Sequence, residues 1–395
     1  MGQGWFDSAI LAGKVKTALR EEDLARWRLI EQFQARLERA AGESTGGTFA
    51  DPRRRLGQSD YLSLLLFGLF NPVVNSMRGL CAASELSRVK QEICSHRVSL
   101  GSFSEAQAVV DPALLQKLFG QLAAEQSAMR GDGRLAPYRD ELVAIDATLW
   151  RALPRMAWAV WRFQHGRESA LKLHVKFNLL EEKPVAAVVT RARRGERAVL
   201  RENVEPGEFY VADRYFGEDY ALFGQLERAG CSYLLRLRQK AVFEVEQEFT
   251  LSPEDHSAGV TFDGLVCLGA HRSKQHGPLR LVRVQTNEGE LLLVSDKGRE
   301  ELSAELLALI YRYRWRVELF FKWLKCILGC RHWLAESPRG VALQVYCALI
   351  AALLLLRSSG RRPGKRAMEL IRFYLLGYAT LDELTHQLGI EKQLA

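Results

Sequence analysis

Residues 311–325, Tyr-Arg-Tyr-Arg-Trp-Arg-Val-Glu-Leu-Phe-Phe-Lys-Trp-Leu-Lys, constrain the fold of this chain more than any other segment. At about 100° per residue, a helix here puts Tyr311, Arg314, Glu318 and Lys325 inside an arc of roughly 60°. A phenol, a guanidinium, a carboxylate and an ammonium then line one ridge. Between them stand Val317, Leu319, Phe320, Trp323 and Leu324, so the rest of the helix packs into a core. Arg, Lys and Tyr hold phosphate oxygens, and a carboxylate among them repels phosphate unless a cation stands between. The plainer alternative is a solvated face with an ordinary Arg314–Glu318 i,i+4 pair. The apolar neighbours weigh against it.

Further carboxylates are then expected on strands, and two are found. Leu-Val-Ala-Ile-Asp-Ala-Thr-Leu-Trp (142–150) is a short apolar, strand-forming run interrupted by Asp146. Glu-Phe-Tyr-Val-Ala-Asp-Arg-Tyr-Phe (208–216) repeats the arrangement with Asp213. An acid at the end of a buried strand is costly to desolvate unless it is hydrogen-bonded or binds metal. Either Asp alone reads as a helix N-cap or turn residue. Both together, with Glu318 downstream, read as a site.

Asp146, Asp213-Arg214 and the Tyr-x2-Arg-x3-Glu-x6-Lys string resemble the DDE transposases of bacterial insertion sequences, specifically the insertion-sequence-four group with its Tyr-Arg-Glu-Lys signature. The resemblance spans roughly residues 140–357. It implies a cut-and-paste DNA transposase that cleaves and joins DNA at insertion-sequence ends by two-metal-ion phosphoryl transfer. It also implies an α/β fold: a ribonuclease-H-like catalytic core interrupted by a β-rich insertion, flanked by an α-helical N-terminal domain and a helical C-terminal region. Asp146, Asp213 and Glu318 would bind two cations, with Asp146 bridging both. Three carboxylates without His or Cys select hard ions, so Mg²⁺ is expected, with Mn²⁺ as a substitute. Tyr311, Arg314 and Lys325 would clamp the phosphates flanking the scissile bond. Lys322 and Arg214 are secondary candidates, since Lys322 could simply pair with Glu318 and Arg214 could be a surface residue. The partners implied are double-stranded DNA, as terminal inverted repeats and as target, and a second copy of the chain in a synaptic homodimer. The second-Asp motif in this group usually reads Asp-Arg-Gly-Tyr; here Tyr215 stands where the glycine would be, and Gly217 comes later.

Composition sets looser bounds. The 55 basic and 47 acidic residues give +8, which suits a polyanionic partner without being diagnostic. Seven scattered cysteines make a disulfide framework unexpected. Cys326, Cys330 and His332 lack a fourth zinc ligand nearby, so they read as packing residues. The opening Met-Gly-Gln-Gly-Trp-Phe is followed by charge rather than an apolar segment, which is not a secretory pattern. The longest apolar run, Val341–Leu356, is short for a membrane span and reads as a core helix. A cytoplasmic, nucleoid-associated protein with no membrane partner is expected.

Along the chain, five regions are expected: helical and DNA-binding over 1–138, the first part of the core over 139–237, the β-rich insertion over 238–298, the second part of the core with the signature helix over 299–357, and a helical C-terminal region over 358–395. Within the first, Ser102 and Asp111-Pro112 offer helix starts, and the two short helices they open could form a helix-turn-helix or an ordinary helical subdomain. Arg53, Arg54 and Arg55 are phosphate-contact candidates. Lys172, His174 and Lys176 alternate along one strand face that could meet DNA or solvent. The polar loop from His271 to His276 could meet DNA backbone. Two alternatives to a transposase are weighed: a catalytically inactive, transposase-derived DNA-binding regulator, and a standalone nuclease. Three intact acids argue against the regulator.

Overall fold

A computed structural model describes residues 28–42 and 56–386, apart from 72–73, 75, 152, 154–155, 164–165, 270–277, 331, 361, 376–377, 381 and 384–385. Arg53, Arg54, Arg55 and the 271–276 loop lie outside the described residues. Leu142-Val-Ala-Ile is apolar on both faces, as a central strand requires, and it opens β1 (Leu142–Arg151). β2 (Val160–Phe163), β3 (Gly166–Asn178) and β4 (Lys183–Arg191) follow, with β1, β2 and β4 all antiparallel to β3. β5 (Phe209–Ala212) and β6 (Ser232–Arg236) then run parallel to β1.

The β-rich stretch expected over 238–298 holds β7 (Phe243–Glu248), β8 (Val260–Leu268), β9 (Leu279–Thr286) and β10 (Gly289–Ser295). These strands extend the same sheet, because β10 pairs with β6. Among the described residues the result is one ten-stranded mixed sheet, ordered β2-β3-β1-β5-β6-β10-β9-β8-β7 with β4 also on β3.

Helices pack against this sheet, among them α7 (Glu196–Glu202), α9 (Tyr220–Arg228) and α10 (Pro253–Ser257) between its strands and α13 (Pro338–Ser359) after it. α1 (Arg28–Gly42), α2 (Gln58–Phe70), α3 (Met77–Ala83), α4 (Ser87–Glu92), α5 (Leu100–Val109) and α6 (Pro112–Ala124) precede it. Asp111 caps α6 with Pro112 in its first turn, as its sequence suggests. α5 starts earlier than expected, because Ser99 rather than Ser102 accepts the capping bond. The apolar run near the C-terminus is a long buried helix, Pro338–Ser359, and α2, α5, α6 and β4 pack around it. It is apolar and long enough to cross a membrane, but protein already covers most of its surface. The apolar stripe of α6, Leu115, Leu118, Phe119 and Leu122, is buried in this core. The helix-turn-helix candidate therefore spends one face of its second helix on packing. Glu125, just after α6, pairs with Arg36 and Arg357 and so links the first helix to the last core helix.

The face carrying Lys172, His174 and Lys176 is mostly covered: His174 and Lys176 are buried and Lys172 is partly buried. Lys172 pairs with Glu196 at 3.1 Å and Lys176 with Glu208 at 2.6 Å, while His174 bonds to Thr190 at 2.9 Å. Burial, reinforced by Lys172 and Arg194, pulls the His174 imidazole down from 6.5 to about 4. The folded chain then keeps His174 neutral at pH values where the unfolded chain protonates it. Its contribution to stability is intact above about pH 6.5 and declines as pH falls toward 4, by up to about 3 kcal/mol. Denaturant titrations at pH 7 and 4.5 are expected to show a smaller acid loss in His174→Gln than in the parent; equal losses would rule this out.

Candidate active site

The 311–325 segment is not the uniform helix its periodicity predicts. α11 (Ala304–Tyr313) ends where the Arg314 N–H bonds to the Tyr311 carbonyl at 3.1 Å, a tightened i→i+3 turn. α12 (Trp315–Lys322) follows, and Trp323–Ile327 then opens into a π-turn closed by the Leu328 N–H on the Trp323 carbonyl at 3.0 Å. Tightening at one end and widening at the other redistribute the ridge. π-turns of this kind concentrate at functional sites.

Glu318, Arg314 and Lys325 line one open cleft with Asp146, Thr148 and Asp213, and Phe321 and Lys322 complete its wall. Asp146 sits midway along β1, where its neighbours change from buried to partly exposed. Asp213 follows the end of the adjacent parallel strand β5, so the sheet brings the two carboxylates side by side. Arg314 stands among the acids, its guanidinium 3.5 Å from the Asp146 carboxylate and 2.6 Å from that of Glu318. Burial pushes the Asp146 carboxyl up to about 7; Arg314 and the Ala147 N–H oppose this, and Glu318 and Asp213 add to it. Lys325 donates to Thr148 Oγ1 and to the Leu149 carbonyl, both at 2.6 Å, and burial lowers its ammonium below the usual lysine range.

Among the described residues no three His, Cys, Asp or Glu side chains are already grouped around a single ion position. Arg314 instead stands between two of the acids, paired with Asp146 and Glu318. The donor set nevertheless fits a hard divalent cation, because the three acids share one solvent-open cleft whose lining includes neither thiol nor imidazole. Cys326, Cys330 and His332 form no such group either, and all seven cysteines are free thiols.

Asp213 caps the short α8 (Arg214–Gly217), its carboxylate accepting from the Tyr215 N–H at 3.0 Å. The displaced glycine has a role here. A Cβ on Gly217 would lie 2.1 Å from the Arg236 carbonyl on β6, so only glycine lets this turn approach the sheet. Gly217→Ala is expected to cost at least about 1–3 kcal/mol through overpacking, read as a lowered denaturation midpoint. A parent-like midpoint would contradict this packing argument.

Two expected contacts change. Tyr311 is turned away from the cleft: it is buried and does not line it. It lines a neighbouring cavity of about 280 Å³ with Arg236, Trp315 and Arg314, and Arg314 also lines the cleft. Arg214 is exposed and does not line the cleft, because the capped turn carries it outward.

The family described as "Transposase DDE domain" matches residues 137–354, more than half of the chain. The chain belongs to that family. Its members are metal-dependent, DNA-cleaving transposases. A Sinorhizobium fredii protein carrying the name transposase is 25% identical over 295 residues, which is 73% of this chain and 79% of the relative. A transposase named for an insertion sequence element of Geobacillus stearothermophilus is 27% identical over 202 residues, or 51% of this chain and 52% of the relative. A piggyBac transposase synaptic complex with hairpin DNA, solved by cryo-electron microscopy, aligns with 95% of this chain and 82% of that one at 12% identity and a TM-score of 0.44.

Sequence reasoning missed several residues that shape this transposase's cleft. Thr148 anchors Lys325 and lies two residues after Asp146, on the same face of β1; that alternation was the available signal. Asp255, Asp263 and Arg280 hold the entry to α11 in place. The Asp263 carboxylate accepts from Arg280 at 2.8 and 3.0 Å and from Arg299 at 3.0 Å. Arg280 also donates to the Gly298 carbonyl at 3.0 Å and the Leu302 carbonyl at 2.5 Å. Asp255 accepts from the Glu305 N–H at 2.9 Å, in the first turn of α11.

Proposed function

We propose that this transposase is of the insertion-sequence-four type, with Tyr311, Arg314, Glu318 and Lys325 as its Tyr-Arg-Glu-Lys signature, and that it moves its element by cut-and-paste. The observation that carries this reading is the single cleft shared by Asp146, Asp213 and Glu318 with Arg314, Lys322 and Lys325. The three acids would hold two divalent cations, Mg²⁺ with Mn²⁺ as a substitute. When bound, such ions make water nucleophilic near neutral pH and stabilise the attacking and leaving oxygens of a phosphodiester.

The chain's own groups position the DNA. Lys325, fixed by Thr148 and Leu149, is a point charge on the cleft wall. Exposed Lys322 meets backbone phosphate as it enters. Arg314 carries the bidentate fork that suits phosphate once its carboxylate partners bind cations instead. Tyr311 acts beneath it, with the guanidinium carbon 5.7 Å from its ring centroid. Arg214 serves as an outer contact at most.

A ribonuclease-H-like core over 139–237 and 299–357 is supported by the three antiparallel strands β1, β3 and β4 followed by parallel β5 and β6. Residues 238–298 are its β-rich insertion, with 1–138 and 358–395 as flanking helical regions. The partners are the element's terminal inverted repeats, target DNA and a second copy of the chain in the synaptic complex, in the cytoplasm at the nucleoid. The test is incubation of the purified chain with duplexes ending in the element's own repeats, with Mg²⁺ and a supercoiled target. Cutting at the ends followed by strand joining is the expected result. Cutting without joining would reduce the reading to a nuclease, and binding without cutting would leave a regulator.

A further inference from the structure

The π-turn that presents Lys325 is held from outside its own helix. Its Leu328 and Cys330 N–H groups reach back to the Trp323 and Leu324 carbonyls at 3.0 and 3.1 Å, and Gly329 follows at φ +85°, where glycine is favoured. At the end of the turn no backbone N–H among the described residues donates to the Ile327 or Leu328 carbonyl. The C-terminal helix α14 (Lys365–Leu375) supplies the donor: Arg372 Nη2 lies 2.7 Å from the Ile327 oxygen and 3.4 Å from that of Leu328. At the start of the turn, the Trp323 indole N–H donates to the Pro363 carbonyl at 2.7 Å. Both ends of the turn are thus tied to the segment 363–372, with Lys325 between them. A cavity of about 230 Å³, lined by Gly68, Cys326, Gly329, His332 and Arg372 among others, adjoins the turn. Packing alone therefore does not wedge it into shape.

We propose that Arg372 is a positioning residue that acts on DNA cleavage through Lys325, by fixing the π-turn that aims the Lys325 ammonium into the cleft. The inference rests on the proposed phosphate-holding role of Lys325. Without the Arg372 bonds the turn relaxes toward an ordinary helical path, which changes the angle at which Lys325 leaves the helix and weakens its hold on Thr148. The C-terminal region thereby contributes to the active site through Lys325.

The test uses the full chain, as Arg372→Met, Lys325→Ala and the double variant. It follows single-turnover cleavage of an element-end duplex with Mg²⁺, together with amide exchange over 323–330. Arg372→Met is expected to slow cleavage about 10-fold and to speed exchange in 323–330 about 10-fold, with exchange in 338–359 unchanged. In the Lys325→Ala background the same change is expected to cost nothing further, the coupling expected of groups acting as a unit. Arg372→Lys, which keeps the charge and a donor, restores part of both effects. It replaces Arg372→Met in the comparison if that chain does not fold. Losses that multiply in the double variant, or unchanged exchange in 323–330, would overturn the proposal alone. Parent-like cleavage by Lys325→Ala would instead sink the reading of the cleft on which it rests.

Discussion

Replacing any one of Asp146, Asp213 or Glu318 by Ala is expected to lower DNA cleavage by at least about 10³-fold while leaving folding and DNA binding intact. Losing a single preorganised electrostatic contact typically costs about 10²–10³ in rate. An acid that holds a cation at the reacting phosphodiester supplies more than one such contact. The three acids line one cleft, so the losses should resemble one another and should not multiply in combination. Binding should survive, because carboxylates repel the DNA backbone and their removal takes no favourable contact from it. Asp146→Asn should also be no less stable than the parent at pH 7, since burial already pushes that carboxyl up to about 7. Cleavage assays on element-end duplexes, with gel-shift binding and thermal melting alongside, separate these effects. Parent-like cleavage in any of the three variants would remove that residue from the site.

Asp263→Ala is the change expected to damage the fold most. Asp263 and Arg280 are 0% and 2% exposed in their side chains. Removing the carboxylate leaves the Arg280 charge buried without its counter-ion, a defect that costs about 3–5 kcal/mol. Replacing both, as Asp263→Leu with Arg280→Met, should cost much less, because no uncompensated charge remains. Urea denaturation of the two variants decides the matter, and equal losses would mean that charge burial is not the cause. A functional consequence follows from geometry. Arg280 grips the carbonyls of the loop entering α11, so loosening it should blur the placement of Arg314 and Glu318 and slow cleavage more than it weakens DNA binding.

Much of the site could be read locally. Asp146 and Asp213 interrupt apolar strand runs, and the structure sets them in and just after adjacent parallel strands. Glu318 keeps its place on a helix whose Val317 and Phe320 are buried. What failed was the assumption of constant pitch over 311–325. The segment tightens at Arg314 and widens at Trp323–Ile327; Arg314, Glu318 and Lys325 still share the cleft, while Tyr311 is buried beside an inner cavity. The Lys172, His174 and Lys176 face also misled, since nothing within β3 reveals that Glu196 and Glu208, from later elements, cover it.

The sequence by itself singled out the side chains of the proposed site and what kind of element each sits on, because residue identity and hydrophobic period are local properties of the chain. Only the tertiary structure decided that Arg314 lies among the acids, that Thr148 anchors Lys325, and that Asp263 with Arg280 and Arg372 brace the 311–325 segment from outside. Each of these depends on strand register and on contacts between residues distant along the chain. The free energy that selects them is that of burying and pairing charge in three dimensions, and no periodicity within one segment encodes it.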